Sequence, residues 1–323
     1  MNDLKVTLNT ALGVLGSSLL AYYVHAKISE RVLNNFQRKD KWNSENELVL
    51  LTGGIGGIGK QLAEDLSSKQ LRVVILDITK PTYPLPSNVT FYQTDITSTK
   101  AISEVATLIR KDHGDPTVLV NNAGVFSHGT ILEKTEEKIR QTFEVNILAH
   151  FLMVKEFLPY MIHENRGHVV TVASVASFVA VGEMVDYCCS KAGALAFHEG
   201  LRQELKFWYD APNVRTRLVI QFTSFAREDY LIEILSIFHP LWVRTPFIKG
   251  FTDHQDQFGQ PIMTPKAVSD AIVDQIVSRR SGQVILPRHF SLAGSIRACP
   301  LWLQEMIRPV FSRIVRKVRA MRD

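Results

Sequence analysis

Short apolar runs recur through the middle of the chain, at Val49–Leu51, Val73–Leu76, Val118–Val120, His168–Val172 and Thr216–Ile220. Each is nearly continuous and not alternating, which predicts strands buried on both faces. Between them run longer stretches with helical spacing, including Lys60–Lys69 and Asp186–Trp208. Strands alternating with helices predict an α/β fold with a single doubly wound parallel sheet. Ligands in such sheets bind beyond the carboxyl ends of the strands, so strand-end residues are the ones to inspect for chemistry. Pro81–Pro86 reads as a loop within this domain.

The two ends break the rhythm. Val6–Ala26 is 21 residues without Asp, Glu, Lys or Arg, and Lys27, Arg31, Arg38, Lys39 and Lys41 follow it. About 20 apolar residues cross a bilayer core, and the basic flank puts the folded domain on the cytosolic side. The segment is therefore read as a hydrophobic anchor that spans the membrane. Two readings compete with it. Val24-His25-Ala26 resembles a cleavage site for a signal peptide, and Thr7, Asn9, Thr10, Ser17 and Ser18 suit a helix or hairpin lying in one leaflet.

At the other end, Ile307, Val310, Phe311, Ile314 and Val318 recur at helical spacing, and Arg308–Asp323 holds six basic residues against one acid. That net of +5 equals the excess of the whole chain, 37 basic against 32 acidic residues. The basic character thus belongs to the tail. An amphipathic basic helix suits either an anionic membrane surface or a domain that leaves its charged face in water, and the N-terminal segment favours the membrane. No interleaved basic and aromatic pattern points to nucleic acid. The chain divides into an anchor and basic linker at 1–45, a Rossmann-like domain at 46–290 and a basic amphipathic tail at 291–323. A length of 323 residues with 46% hydrophobic content supports one sizeable core. The three cysteines and ten histidines fall in no metal-ligand or disulfide pattern, which fits a reducing compartment.

Candidate chemistry begins after the first strand. Thr52-Gly53-Gly54-Ile55-Gly56-Gly57-Ile58-Gly59 joins it to a helix, a context in which glycines let a pyrophosphate approach the free N–H groups of the helix start. The next strand ends in Asp77, about 20 residues on, where an acid binds a ribose 2′-hydroxyl and repels a 2′-phosphate. NAD(H) is favoured over NADP(H) on that ground. Further along, Tyr187 and Lys191 stand one helical turn apart, with Ser174 upstream near the end of a strand. A fixed ammonium beside a phenol lowers its pKa, and a serine hydroxyl can hold the oxygen whose proton the tyrosine moves.

In this order and spacing the residues resemble the short-chain dehydrogenase/reductase family from about Glu47 to about Pro287, and in particular its membrane-bound retinol and hydroxysteroid dehydrogenase branch. The resemblance implies a cofactor turn at Gly53, Gly57, Ile58 and Gly59, with Asp95 near the adenine and Asn122 in the turn beside the cofactor. It implies Ser174, Tyr187 and Lys191 as catalytic residues, Asn146 as support of a proton-relay water, and Val243 and Thr245 near the nicotinamide carboxamide. It further implies hydride transfer between NAD(P)(H) and a lipophilic alcohol, ketone or aldehyde. The expected setting is an endoplasmic reticulum or lipid-droplet membrane, with the domain facing the cytosol. Phe143–Met161 and Ala192–Trp208 resemble the family's dimer-forming helices, so a homo-oligomer is expected. The alternative readings are a dehydrogenase or reductase of a polar or secondary-metabolite substrate and a catalytically impaired cofactor-binding protein.

The impaired reading comes from one departure. Residues 222–239 separate the predicted sixth strand, ending near Ile220-Gln221, from the family-like Pro240-Leu241-Trp242-Val243-Arg244-Thr245. The segment reads either as a genuine insert near the substrate mouth or as translated intron. As an insert, it threatens the placement of Val243 and Thr245.

Overall fold

The computed structural model describes residues 44–209, 234–240, 242–245, 262–278, 282–287 and 294–320. The anchor segment Val6–Ala26 and the predicted strand Thr216–Ile220 lie outside the described residues. In chain order the elements are β1 Leu48–Thr52, α1 Gly57–Ser68, β2 Arg72–Asp77, β3 Val89–Gln93, α2 Thr99–His113 and β4 Val118–Asn121. Then follow α3 Glu136–Phe143, a π-helical turn Glu144–Leu148, α4 Ala149–His163, β5 His168–Val172 and α5 Val185–Phe207. The remainder comprises β6 Ile234–Pro240, β7 Trp242–Val243, β8 Ile262–Met263, α6 Pro265–Ser278, β9 Gly282–Leu286 and α7 Leu301–Arg319.

Seven strands form one sheet in the order β3-β2-β1-β4-β5-β6-β9, and every neighbouring pair runs parallel. Alternate residues of the central strands feed opposite faces. Leu48, Leu50, Leu119 and Val169 pack with α2, α4 and α5. Val49, Leu51, Val118, Val120 and Val170 pack with α1 and α6. Burial on both faces is why these strands read as unbroken apolar runs. Glu47 opens β1 as a buried carboxylate; Thr117 Oγ1 and Arg166 Nη2 each donate to it at 2.5 Å. The strand order reverses between β1 and β4, which opens a crevice at their carboxyl ends, the usual ligand site of this architecture.

One strand corrects the sequence reading. The place beside β5 is taken by Ile234–Pro240, most of which had been assigned to the segment 222–239. Both Thr216–Ile220 and Ile234–Phe238 are apolar and strand-like, so local pattern does not separate them. Pairing does: His168 aligns with Ile234 and Val172 with Phe238, while β9 aligns on the other side.

Among the described residues, one continuous helical stretch, Glu136–His163, is long and apolar enough to cross a membrane, with mean hydropathy 1.3 over its best window. Its Met153, Phe157 and Met161 are instead buried against the sheet, so the apolar composition serves the core.

Candidate active site

The strand ends converge on one cleft of about 1250 Å³. The glycine turn forms one wall. Gly57 holds φ +53°, a left-handed backbone that other residues adopt only with strain, and a Cβ on Gly59 would lie 2.1 Å from the Gly53 carbonyl oxygen. Asp77 at the tip of β2 fixes the turn: Ile55 N–H donates to its Oδ2 at 3.1 Å and Thr79 N–H to its Oδ1 at 2.9 Å. Asn122 pins the turn from β4, with Nδ2 donating to the carbonyls of Thr52 (2.9 Å) and Gly53 (3.0 Å). Asp95 lines the cleft, and its Oδ1 accepts from the N–H and hydroxyl of Thr97. The cap of α2 is Ser98, so Asp95 is not the helix cap.

Tyr187 and Ser174 meet at the centre, both buried and both lining the cleft. Ser174 leaves β5 in extended conformation, where its Oγ accepts from Ala176 N–H at 3.2 Å. Lys191 follows one turn after Tyr187 on α5 and is 3% exposed, its Nζ donating to Val172 O at 2.9 Å and lying 5.8 Å from the tyrosine ring centre. Ser177 Oγ donates to Lys191 O at 2.8 Å, which ties this turn of α5 to the segment after β5, and Ser190 Oγ donates to Tyr187 O at 2.8 Å within the helix.

The electrostatics differ from the sequence expectation. Among the protein's own groups, burial pushes the Tyr187 phenol up to about 12, and its hydrogen bond with Ser174 offsets only part of that. Burial brings the Lys191 ammonium down to about 8. Burial, and not Lys191, thus dominates the tyrosine among the protein's own groups, contrary to the expected lowering. Near neutral pH the site holds a protonated phenol beside a cation, a proton donor in its resting form.

Asn146 is fully buried in the π-helical turn, an irregularity that often marks functional sites. Its side chain is fully used: Val125 N–H donates to Oδ1 at 2.7 Å, while Nδ2 donates to Val125 O at 2.9 Å and to Ser190 Oγ at 3.1 Å. A Cβ on Gly124 would stand 3.4 Å from Asn146 Oδ1 and 3.6 Å from Lys191 Nζ, so only a bare glycine separates the two residues. One turn on, His150 is buried with neither ring nitrogen bonded within the described residues; burial, with the charge of Lys191 nearby, drives it down to about 3.

Val243 and Thr245 reach the cleft despite the segment before them. Parallel pairing of β7 with β8, extended by Arg244 N–H to Met263 O at 2.8 Å, holds them there, and Thr245 Cγ2 lies 3.1 Å from where a Gly57 Cβ would be. Gly53, Gly57, Ile58, Asp77, Asp95, Asn122, Ser174, Tyr187, Lys191, Val243 and Thr245 thus share one cleft. Asn146 and Gly59 stand behind its lining.

Sequence reasoning missed the opposite wall. Phe126, Val179, Val181, Met184, Trp242 and Phe311 close the cleft beyond Tyr187, and Phe126 stacks edge-on to Tyr187 with centroids 5.4 Å apart. No local motif marks these residues, and Phe311 comes from α7, far along the chain.

The glycine cradle fits a dinucleotide: it has the close backbone approach, the strand-tip acid and the pinned asparagine turn that such a group requires. Comparison with known proteins agrees. The family profile of the short chain dehydrogenases matches residues 47–215. Dehydrogenase RED3 of Cochliobolus heterostrophus is 57% identical over 129 residues, covering 40% of this chain and 66% of that protein, just under two thirds of its length. Dehydrogenase RED2 of the same organism is 39% identical over 219 residues, 66% of this chain and 83% of the relative. Human 17-beta-hydroxysteroid dehydrogenase 13 is 38% identical over 168 residues, 50% of this chain and 56% of the relative. Among solved structures, 3-ketoacyl-(acyl-carrier-protein) reductase from Brucella melitensis complexed with NADH superposes with TM-score 0.63 at 18% identity. It covers 76% of this chain and 99% of that one, a likeness of fold. The chain belongs to the short chain dehydrogenase family.

Proposed function

We propose that this protein is a membrane-associated oxidoreductase that acts on a lipophilic alcohol, ketone or aldehyde, of retinoid, steroid or fatty alcohol type. The carrying observation is the asymmetry of the cleft: a backbone-lined cradle on one side of Tyr187, and Val179, Val181, Met184, Trp242 and Phe311 on the other. A nicotinamide bound in the cradle supplies or accepts the hydride. The Tyr187 hydroxyl gives its proton to the substrate oxygen in reduction and takes it back in oxidation. Ser174 Oγ holds that oxygen, and Lys191 keeps a positive charge beside the phenol and binds the ribose. Asn146, through Val125 and Ser190, keeps the turn beside Lys191 open for proton exchange. Asp77 favours NAD(H) by contacting the ribose.

Membrane association is supported from two sides. The sequence carries the uncharged segment Val6–Ala26, read as the anchor, and α7 turns Trp302, Met306 and Val310 to solvent at four-residue spacing, followed by exposed Arg313 and Lys317. Apolar and aromatic residues that run into a basic end are the pattern of a helix resting on anionic lipid. Relatives named 17-beta-hydroxysteroid dehydrogenase and estradiol 17-beta-dehydrogenase support the lipophilic substrate class. The exposed Leu148 and Phe151 support a homo-oligomer that pairs through this face.

The test is a panel of steroids, retinoids, fatty alcohols and polar alcohols, run with the full chain in detergent micelles and with both nicotinamides. Turnover confined to the lipophilic members is expected. Equal or better turnover of the polar alcohols overturns the substrate class, and flotation that leaves the protein unbound to phosphatidylserine vesicles overturns the membrane reading.

A further inference from the structure

Helix α7 closes the apolar wall of the cleft, and among the described residues it is held by an apolar inner face, one backbone hydrogen bond and one ionic clasp. Its inner face sets Phe311, Ile314 and buried Val315 against Phe178, Val179, Val181, Met184 and Tyr187. Ser312 Oγ accepts from Gly182 N–H at 3.1 Å. Near its end, Arg319 grips Glu133 with both guanidinium nitrogens, at 2.7 and 2.9 Å, and its Nη1 lies 3.5 Å from Glu183 Oε1. Arg319 holds the Glu133 carboxyl down at about 2. Glu183 takes φ +63°, a left-handed backbone costly for a residue with a side chain, in the turn that leads into α5.

Both acids sit beside the catalytic tyrosine's own supports. Lys134, next to Glu133, forms a buried ion pair with Asp186 at 2.5 Å, and Thr142 Oγ1 donates to the same carboxylate at 3.2 Å. Asp186 immediately precedes Tyr187. The Lys134 ammonium also lies 5.7 Å from the centre of Phe126, the ring stacked on Tyr187. One bidentate clasp therefore joins α7 to the two segments that flank the tyrosine.

We propose that α7 is the substrate-selecting wall of the cleft, with Phe311 as a specificity-determining residue and Arg319 as the positioning residue that holds it through Glu133 and Glu183. The selection of substrate rests on the lipophilic reading above; the clasp does not. A partly exposed ion pair is weak and salt-sensitive, so it suits a wall that opens and recloses. The apolar contacts of Phe311, Ile314 and Val315 then set where the helix returns.

Two measurements on the full chain separate these parts. Amide hydrogen exchange across residues 309–319 should speed up about tenfold in Arg319→Ala and less in Arg319→Lys, with α1 unchanged. Wild-type exchange in Arg319→Ala overturns the clasp, whatever the substrate. The second probe is 11-dansylaminoundecanoic acid, followed by its fluorescence. Phe311→Ala should weaken its binding about tenfold while NADH affinity stays within twofold, and unchanged binding overturns the role of Phe311. If wild type binds NADH but not the dansyl probe, the lipophilic selection by Phe311 falls together with the substrate reading, and the exchange result still decides the clasp.

Discussion

The two halves of the cleft are built by different rules. The half proposed for the cofactor is made of strand ends and one glycine turn, held by the Asp77 side chain, which accepts from the turn's backbone, and the Asn122 side chain, which donates to it, within a sheet buried on both faces. The apolar half, proposed for the substrate, is made of side chains from Phe126, the turn after β5, β7 and α7, segments that no shared strand register binds together among the described residues. The contrast explains what each half can do. A hydride donor common to a whole family needs a fixed cradle, whereas a pocket that changes with substrate needs parts that mutate independently. Tyr187 stands at the seam, with its helix packed on the rigid half and its ring on the variable one.

The largest effect should come from the seam itself. Tyr187→Phe removes the proton donor while keeping the ring that stacks on Phe126, and kcat should fall by about 10²–10⁴. NADH binding measured by fluorescence should survive, and retention of turnover would remove Tyr187 from the chemistry. Next comes the rigid half. Gly59→Ala drives a Cβ against the Gly53 carbonyl, and an overpacked core site loses about 1–3 kcal/mol. Chemical denaturation should show that loss together with weakened NADH binding. A matching truncation in the variable half, Met184→Ala, should leave NADH binding alone, which sharpens the contrast.

A pH effect comes from the core beneath the cradle. His150 is neutral in the folded protein because its pKa is depressed to about 3, whereas it titrates near 6.5 when unfolded. Between those values the unfolded state binds the extra proton, so stability falls as pH drops below about 6.5. At pH 5 the His150 share is about 2 kcal/mol, from 1.5 units at about 1.4 kcal/mol each. Denaturation of His150→Phe at pH 7 and pH 5 should show a correspondingly shallower acid loss, and an unchanged slope would place the burden on other groups. The smallest effect is expected at the strand tip. Asp77→Ser should shift the ratio of NADP(H) to NAD(H) affinity about tenfold toward NADP(H), a matter of about 1.4 kcal/mol. An unmoved ratio would show that Asp77 only braces Ile55 and Thr79.

Much of the rigid half was legible in the sequence because its signals are local. The run His168–Val172 is the observed β5, and the first, second and fourth strands differ from the predicted runs by one or two residues at their ends. The helix expected from Asp186 begins at Val185. Gly57, Asp77 and Asn122 fall into one cleft because each follows a strand of the same sheet. The sixth strand was misread because two apolar segments compete for it, and only register with β5 and β9 chooses Ile234–Pro240. For α7 the period was right and the face only partly so: Phe311 and Ile314 point inward, but Val315 is the buried partner and Val310 is 50% exposed. A periodic pattern marks a helix, and the surface it meets selects the stripe that is buried.

The sequence by itself determined the buried strands β1, β2, β4 and β5, the glycine cradle and the tyrosine–lysine turn, because these depend on spacing along one element. Only the tertiary structure decided which segment completes the sheet, which residues form the apolar wall, and that burial is the main influence on the tyrosine's pKa. Those outcomes depend on desolvation and on contacts between segments far apart in the chain, and neither is written in any local pattern.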